Sequence, residues 1–546
     1  MRTVALFGAS IWLCSCGTEV AYDLYSQRRI LEVEVQLSPS DFAELRAQTR
    51  DPIELLRGDC LAQPFPEAFS YFPASVVVNG QAVENVGVRK KGFLGSLSES
   101  KPGLKIDFAE FVPGQELFGR KKLTLNNAVA DPSLLRQCVT FDLFNKAGIP
   151  APQCGFARVT VNGEDLGIYV NVETPDKRFL KGHYRDNDGN LYEGTLSDFR
   201  DGWTGTLESK TNEETNDQSD VQAIVQALDA DDASLVASLE AVIDLDQFFT
   251  FWAMETLVNH ADGYTGNTNN FYLYHDPRSD LFQFLPWGVD FTLAPGNFLG
   301  PDVPISVMAM GALPRRLYEL PETRERYLLR LSELLDRVWD EDELLAQVDS
   351  LEALLGPAAS ASDVEDTRRF IQERRGAIEG ELSSGAPEWP LELLGDVCLR
   401  DLGTMSGDFS TTFGTIDDED PFANSSGFLE VLLQGEQLAL SQFVSSSGLD
   451  PERPGNIIIQ DVAFTDDNRA AFAFFTVPAA LAQAGADIQT DLGAQIGAFF
   501  FFDLATQESE LVGLLLGTLS FEQVSTADGQ PVLGSFSGDL VTFPFQ

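Results

Sequence analysis

The chain has 546 residues, 44% hydrophobic and 10% aromatic, which supplies core material for two or three domains and excludes wholesale disorder. Its 84 acidic residues against 37 lysines and arginines give a net charge of −47. Such a surface repels nucleic-acid phosphate, so no nucleic-acid partner is expected, and it favours solubility and divalent cations.

In chain order, Arg2 precedes an apolar run from Val4 to Leu13. That run is too short to cross a bilayer and has the length of a signal-peptide core. Leu13-Cys14-Ser15-Cys16 resembles a bacterial lipobox, whose last cysteine becomes the lipidated N-terminus. Residues 1–16 are therefore expected to be an export signal and 17–29 a short linker, with a plain cleaved signal as the alternative. The expected product is an exported, membrane-anchored lipoprotein of the bacterial envelope or surface, touching the membrane only through a lipid anchor at Cys16. Export leaves Cys60, Cys138, Cys154 and Cys398, which permit two disulfides in three pairings. None has CxxC spacing, which argues against zinc or a redox motif. Cys138 lies in a predicted helix with Cys154 just beyond it, so the two either pair or leave Cys138 a buried thiol.

Residues 30–185 read as a strand-rich lobe. Leu31–Leu37 alternates as a strand, and Ser75–Val78 with Val83–Val88 form a hairpin around Asn79-Gly80. RKKGFLGS follows as a basic, glycine-bearing loop, then KPGLKIDF as a strand. DPSLLRQCVTFDLFNKAGIPAP has an Asp-Pro start, helical apolar spacing and a Gly148/Pro150 stop. FARVTVNGEDLGIYVNVE is a second hairpin turning at Asn162-Gly163. Residues 186–385 are mostly helical, except that FYLYHDP and LFQFLPW read as paired short strands; two lobes with a cleft between them are expected. Residues 386–400 are a linker. From 401 to 546 the only basic residues are Arg453 and Arg469, and short apolar strands alternate with turns, predicting a separate acidic all-β domain, sandwich or barrel. TIDDEDPFANSSG within it is a solvated turn that lacks the spaced ligands of a calcium loop.

The chemistry concentrates in residues 259–292, NHADGYTGNTNNFYLYHDPRSDLFQFLPWGVDFT, which hold two of the three histidines. Phosphoryl transfer from a nucleotide needs a carboxylate at the acceptor, an amide oxygen and second carboxylate on a metal, and a lysine on the phosphates. Protein kinases place these groups as HxDxxxxN, a hairpin, and a second Asp-Phe. Here His260 and Asp262 precede Asn267 by that spacing, and Asp290-Phe291 follows the predicted hairpin. The bland reading is that the asparagines cap turns and the aspartates start loops. Read as strand neighbours, Asn269 and Asn270 face opposite sides, so at most one is expected to reach a metal.

Further motifs make the chain resemble the CotH kinase family, the spore coat protein H-like branch of atypical protein-kinase-like folds. They are RKKGF at 89–93, KPGLKIDF at 101–108, FGRKKLTLNN at 118–127, the 131–152 helix, VNGEDLGIYVNVETPDKRFL at 161–180 and GNLYEG at 189–194. Together with 259–292 they cover roughly 30–380 in consistent order. The resemblance implies an α+β, two-lobed kinase-like fold followed by the all-β domain, with ATP and Mg²⁺ or Mn²⁺ as cofactors. It makes Asp262 the catalytic aspartate, Asp290 the metal-binding aspartate, and Asn267 the second metal ligand with Asn270 in reserve. Lys105 is the phosphate-gripping lysine, with Lys101 as competitor, and Arg89 and Lys91 add charge from the preceding loop. Three features depart from ordinary kinases: GxGxxG is missing, Asp142 is the one acid on the 133–147 helix, and Thr292 stands where a glycine follows Asp-Phe. Glu173 is therefore the candidate acid for pairing the lysine or lining the pocket. The expected function is transfer of the ATP γ-phosphoryl group to Ser or Thr of an extracytoplasmic protein, with autophosphorylation included. The alternative is an inactive kinase-fold surface lipoprotein with a binding, structural or adhesion role. A hydrolase has few histidines to work with, and the motif order argues against a carboxylate glycosidase.

Overall fold

The computed structural model describes residues 23–296, 299–416, 425–491 and 495–542. The expected export signal, lipobox and Cys16 anchor lie outside these residues, as does most of the acidic turn TIDDEDPFANSSG.

Seven strands build the N-lobe: β1 (Ile30–Gln36), β2 (Phe72–Val78), β3 (Gln81–Lys91), β4 (Gly103–Asp107), β5 (Lys122–Asn126), β6 (Cys154–Val161) and β7 (Glu164–Val172). They close into a barrel in the order β1-β2-β3-β4-β5-β7-β6, with β1 parallel to β6 at the seam. Alternation sets the faces: Leu31, Val33 and Val35 are buried while Glu32 and Glu34 are exposed. Both hairpin turns have positive φ at their two central residues, Asn79 and Gly80, then Asn162 and Gly163. That geometry matches strand twist and selects Asn-Gly. The helix Arg136–Lys146 packs on the barrel and is pinned to the start of β6 by a Cys138–Cys154 disulfide. The other disulfide is Cys60–Cys398.

The C-lobe is built on the helix Leu245–Leu257, in which every residue but Asp246 and Gln247 is buried. Trp252 stacks on Tyr327 of the helix Pro321–Arg337, with ring centroids 3.9 Å apart. Beside it lies a small sheet of β8 (Asn190–Gly194), β9 (Glu208–Ser209), β10 (Phe271–Asp276) and β11 (Leu281–Pro286), in the order β11-β10-β8-β9. β10 and β11 are the predicted hairpin, with Tyr272 opposite Leu285.

Residues 386–400, expected as a linker, are tied along the C-lobe. The carbonyl of Pro387 accepts from the Tyr318 hydroxyl at 2.7 Å, and those of Leu391 and Leu394 accept from Arg315 and Arg200. Cys398 then joins Cys60, and Arg57 bridges Asp401 and Asp539 of the β domain. Among its described residues that domain is all-β, as expected, and ten strands form one continuous curled sheet rather than two stacked ones. The strand Leu440–Leu449 curls back to the end of Arg400–Thr412, where the N–H groups of Gly414 and Thr415 both donate to Ser447 O. Ile457, Ile459, Phe475, Phe499 and Leu515 fill the concave face. Asp461 lies on that face too, fully buried, and neither carboxylate oxygen has a hydrogen-bond partner.

Candidate active site

The cleft between the lobes encloses about 790 Å³. Its upper wall carries the basic residues. Arg89 and Lys91 alternate along β3 and both line the cleft, whereas Lys90 points the other way and donates to the carbonyls of Arg46 and Gln48 at 2.7 and 2.6 Å. These residues belong to β3, not to a loop as the sequence suggested, because β3 runs to Lys91. Lys105 on β4 lies directly across from Arg89 and also lines the cleft. Lys101 does not; its ammonium lies 5.1 Å from the ring centre of Tyr169. Burial, with Lys122 and Arg89 nearby, pushes Lys105 down to about 8. Arg89 is ion-paired with Glu67 at 3.1 Å. The turn Leu94–Ser96 follows β3; a side chain at Gly92, where φ is +137°, would strike Ser96 Oγ at 2.7 Å.

The lower wall presents Asp262. Its loop is fastened from below by Glu255, which accepts from the N–H groups of Tyr264 (3.1 Å) and Thr265 (2.8 Å) and from Thr265 Oγ1 (2.7 Å). A Cβ at Gly263 would meet Glu255 Oε1 at 2.2 Å, so this close approach requires glycine. His260 is fully buried with Nε2 3.0 Å from Trp287 O and does not line the cleft.

Three asparagines fan onto Asp262. Asn267 and Asn269 donate to Oδ1 at 2.9 and 3.3 Å, and Asn270 donates to Oδ2 at 2.7 Å and to the backbone O at 3.0 Å. The expectation that Asn269 and Asn270 diverge is wrong. β10 begins only at Phe271, and left-handed φ values at Thr268 and Asn270 break the strand alternation, so both amides turn inward. Gly288 makes room, since a Cβ there would lie 2.3 Å from Asn270 Oδ1.

Asp290 sits on the turn Val289–Phe291 and is nearly buried. Burial pushes its carboxyl up to about 6; Asp131 and Asp262 add to the shift and Lys91 opposes it. Thr292, in the place of a glycine, donates to Val289 O and pairs with Thr140 Oγ1, each at 2.6 Å. This ties the Asp290 turn to the helix Arg136–Lys146.

That helix offers the cleft Gln137 and Phe141. Asp142 faces away, accepting from Gln27 (2.8 Å) and Gln347 (2.7 Å). Glu173 also fails as the lysine's acid: it lies outside the cleft lining, pairs with Arg120, and accepts from Gln153 N at 3.1 Å. Val172 and Thr174 line the cleft on either side of it, so the alternating backbone turns Glu173 outward. Sequence reasoning missed Glu193 of β8, which lines the cleft and accepts from Lys210 at 2.7 Å. The one signal for it was an acid inside the apolar strand NLYEG.

The family model described as CotH kinase protein matches residues 88–379, more than half of the chain. Inner spore coat protein H of Bacillus subtilis is 24% identical over 237 residues, 40% of this chain and 64% of that protein. Invasin CotH2 of Rhizopus delemar is 22% identical over 291 residues, 48% of each chain. The chain thus spans less than two thirds of the length of these relatives. The crystal structure of the Helicobacter pylori proinflammatory kinase CtkA covers 53% of this chain and 92% of its own at 13% identity, and its TM-score of 0.28 carries no argument. The matched span runs from β3 into the helix Ala361–Leu382 and takes in both walls of the cleft; the chain belongs to the CotH kinase protein family.

Proposed function

We propose that the protein is an exported kinase that transfers the γ-phosphoryl group of ATP to Ser or Thr of a protein outside the cytoplasm, itself included. The observation that carries this reading is the opposition, across one cleft, of Arg89, Lys91 and Lys105 to Asp262 and Asp290. In a chain of net charge −47, three cations gathered on one wall favour a polyphosphate. Lys105 and Lys91 grip phosphate oxygens, and Arg89 adds charge over them. Asp262, its oxygens fixed by three amides, orients the acceptor hydroxyl and takes its proton.

Asp290 and Asn267 would hold Mg²⁺ or Mn²⁺. The residues fit: Asp290 has neighbouring carboxylates and one opposing cation, Lys91, and Asn267 spends its amide nitrogen on Asp262, leaving Oδ1 for a ligand. Asn270 serves as a brace for Asp262. Among the described residues no group of three or more His, Cys, Asp or Glu is gathered around a metal position, and an aspartate and an amide completed by phosphate oxygens need none. When bound, the ion supplies charge neutralisation on the transferring phosphates. Two disulfides among the described residues support an oxidising, extracytoplasmic location, and the lipobox-like Leu13-Cys14-Ser15-Cys16 supports Cys16 as the lipid anchor.

The test is labelled-phosphate transfer from γ-labelled ATP with Mg²⁺ or Mn²⁺, using protein without its first 16 residues. Wild type transfers label and Asp290→Ala loses at least about 100-fold. Absence of transfer by wild type, or equal transfer by Asp290→Ala, overturns the mechanism. The attached acidic β domain favours a second reading, an inactive surface protein that binds a partner. Lack of any thermal stabilisation by ATP·Mg²⁺ would favour it.

A further inference from the structure

The segment Arg50–Ser70 lies outside the span matched by the family model, yet it walls part of the cleft with Arg50, Phe65, Glu67 and Phe69. It is pinned to the C-lobe: Cys60 is bonded to Cys398, Leu61 packs with Trp203 and Val397, and a Cβ at Gly205 would meet the backbone of Leu61 and Ala62 at 2.4 Å. Its return is pinned to the N-lobe, where the Phe65 ring lies 5.4 Å from that of Phe93, just past β3, and Glu67 pairs with Arg89.

Arg50 is set into this wall. Its guanidinium lies 5.3 Å from the ring centre of Phe69 and 5.4 Å from that of Phe93, and Nη1 donates to Pro66 O at 2.9 Å. Two rings and a carbonyl fix the planar group but leave its charge unneutralised. Nε is buried without a hydrogen-bond partner, and among the described residues no carboxylate is bonded to the group. Nearby arginines differ: Arg46 pairs with Glu164, Arg57 with Asp401 and Asp539, and Arg89 with Glu67. In a chain with 84 acidic residues, a half-buried guanidinium left unpaired at a cleft suits an anion from outside.

We infer that Arg50 is a fourth phosphate-binding residue of the cleft, its guanidinium meeting an oxygen of the nucleotide's polyphosphate alongside Arg89, Lys91 and Lys105. This rests on the kinase reading above. Because the wall is tied to both lobes, the entropy of ordering the side chain is lost in folding and not in binding.

The experiment is calorimetry of ATP·Mg²⁺ and of inorganic tripolyphosphate·Mg²⁺ with wild type, Arg50→Met and Arg50→Lys. Methionine keeps an apolar stem against Phe69 and Phe93 and removes the charge. Arg50→Met binds both ligands about ten-fold more weakly, by the same factor, and its affinity depends less steeply on ionic strength. Arg50→Lys keeps the charge but not the fork and loses about three-fold. Should Arg50→Met not fold, Arg50→Lys decides, and affinity equal to wild type then overturns the proposal. Unchanged affinity of Arg50→Met for either ligand overturns it, as does a loss confined to ATP, which would assign Arg50 to the base. Label transfer that falls at unchanged affinity would assign Arg50 to the acceptor and overturns it as well. Wild type that binds neither ligand overturns the kinase reading together with the proposal, while wild-type binding that Arg50→Met leaves unchanged overturns the proposal alone.

Discussion

Asp461 makes the curled sheet's stability depend on pH in a way that can be worked out in advance. Its carboxyl is fully buried on the strand of Ile457, Ile459 and Ala463, across from Ser445, and burial pushes it up to about 8 with the Ser445 hydroxyl opposing the rise. In the unfolded chain an aspartate titrates near about 3.9. The folded value is the higher one, so this residue's contribution to stability is intact below pH 4 and is lost as pH rises from about 4 to about 8. Each unit of difference is about 1.4 kcal/mol, which makes the loss about 5 kcal/mol at pH 8. Asp461→Asn removes the titration. A buried amide that is imperfectly bonded costs about 1–3 kcal/mol, so the net gain at pH 8 is about 2–4 kcal/mol, falling to nothing or below at pH 4. Residues 401–546 contain no Trp and no Tyr, so aromatic fluorescence follows the two lobes while scanning calorimetry also sees the sheet. The calorimetric transition of the sheet should rise by roughly 5–15 °C in Asp461→Asn at pH 8 and stay level or fall at pH 4. A variant equally stabilised at both pH values, or destabilised at pH 8, refutes the reasoning.

Asn270→Ala removes two hydrogen bonds from Asp262 and should lower kcat about 10–100-fold with the KM for ATP within about two-fold, measured by steady-state label transfer. An unchanged kcat would show that the brace is idle. Glu173→Gln should leave ATP affinity within about two-fold while costing about 2–3 kcal/mol of stability, because it strands Arg120 and does not touch the cleft; calorimetric titration and thermal melting read the two effects separately. Replacing Cys60 and Cys398 by Ser should cost about 6 kcal/mol in the chain-entropy model and speed thermolysin cleavage of residues 48–70 and 386–400. Unaltered proteolysis would mean that the hydrogen bonds along 386–400 suffice.

Much of the fold was legible because the local signals were strong. Asn79-Gly80 and Asn162-Gly163 fix their hairpins through φ alone, and the apolar Phe271–Asp276 and Leu281–Pro286 runs flank a short polar turn. The Asp262 and Asp290 positions followed from motif spacing, and the cleft brings them together with Lys105. What stayed hidden depends on orientation or on long-range packing. The end of β3 was taken for a loop because Arg89, Lys90 and Lys91 are all basic, yet alternation sends Lys90 to buried backbone carbonyls and its neighbours to the cleft. Glu173 and Glu193 are both strand-associated acids, and only the assembled fold decides that one meets Arg120 outside the cleft and the other meets Lys210 within it. The convergence of three asparagines needed two left-handed residues that no periodicity announces.

The Cys60–Cys398 disulfide joins residues 338 positions apart and so encloses nearly the whole kinase portion in one covalent ring. A single cut anywhere between those cysteines opens the ring but releases nothing, because both fragments remain bonded. Exposed to proteases, a nicked molecule would keep its β domain, its cleft and the segment before Cys60 as one body until a reductant arrived.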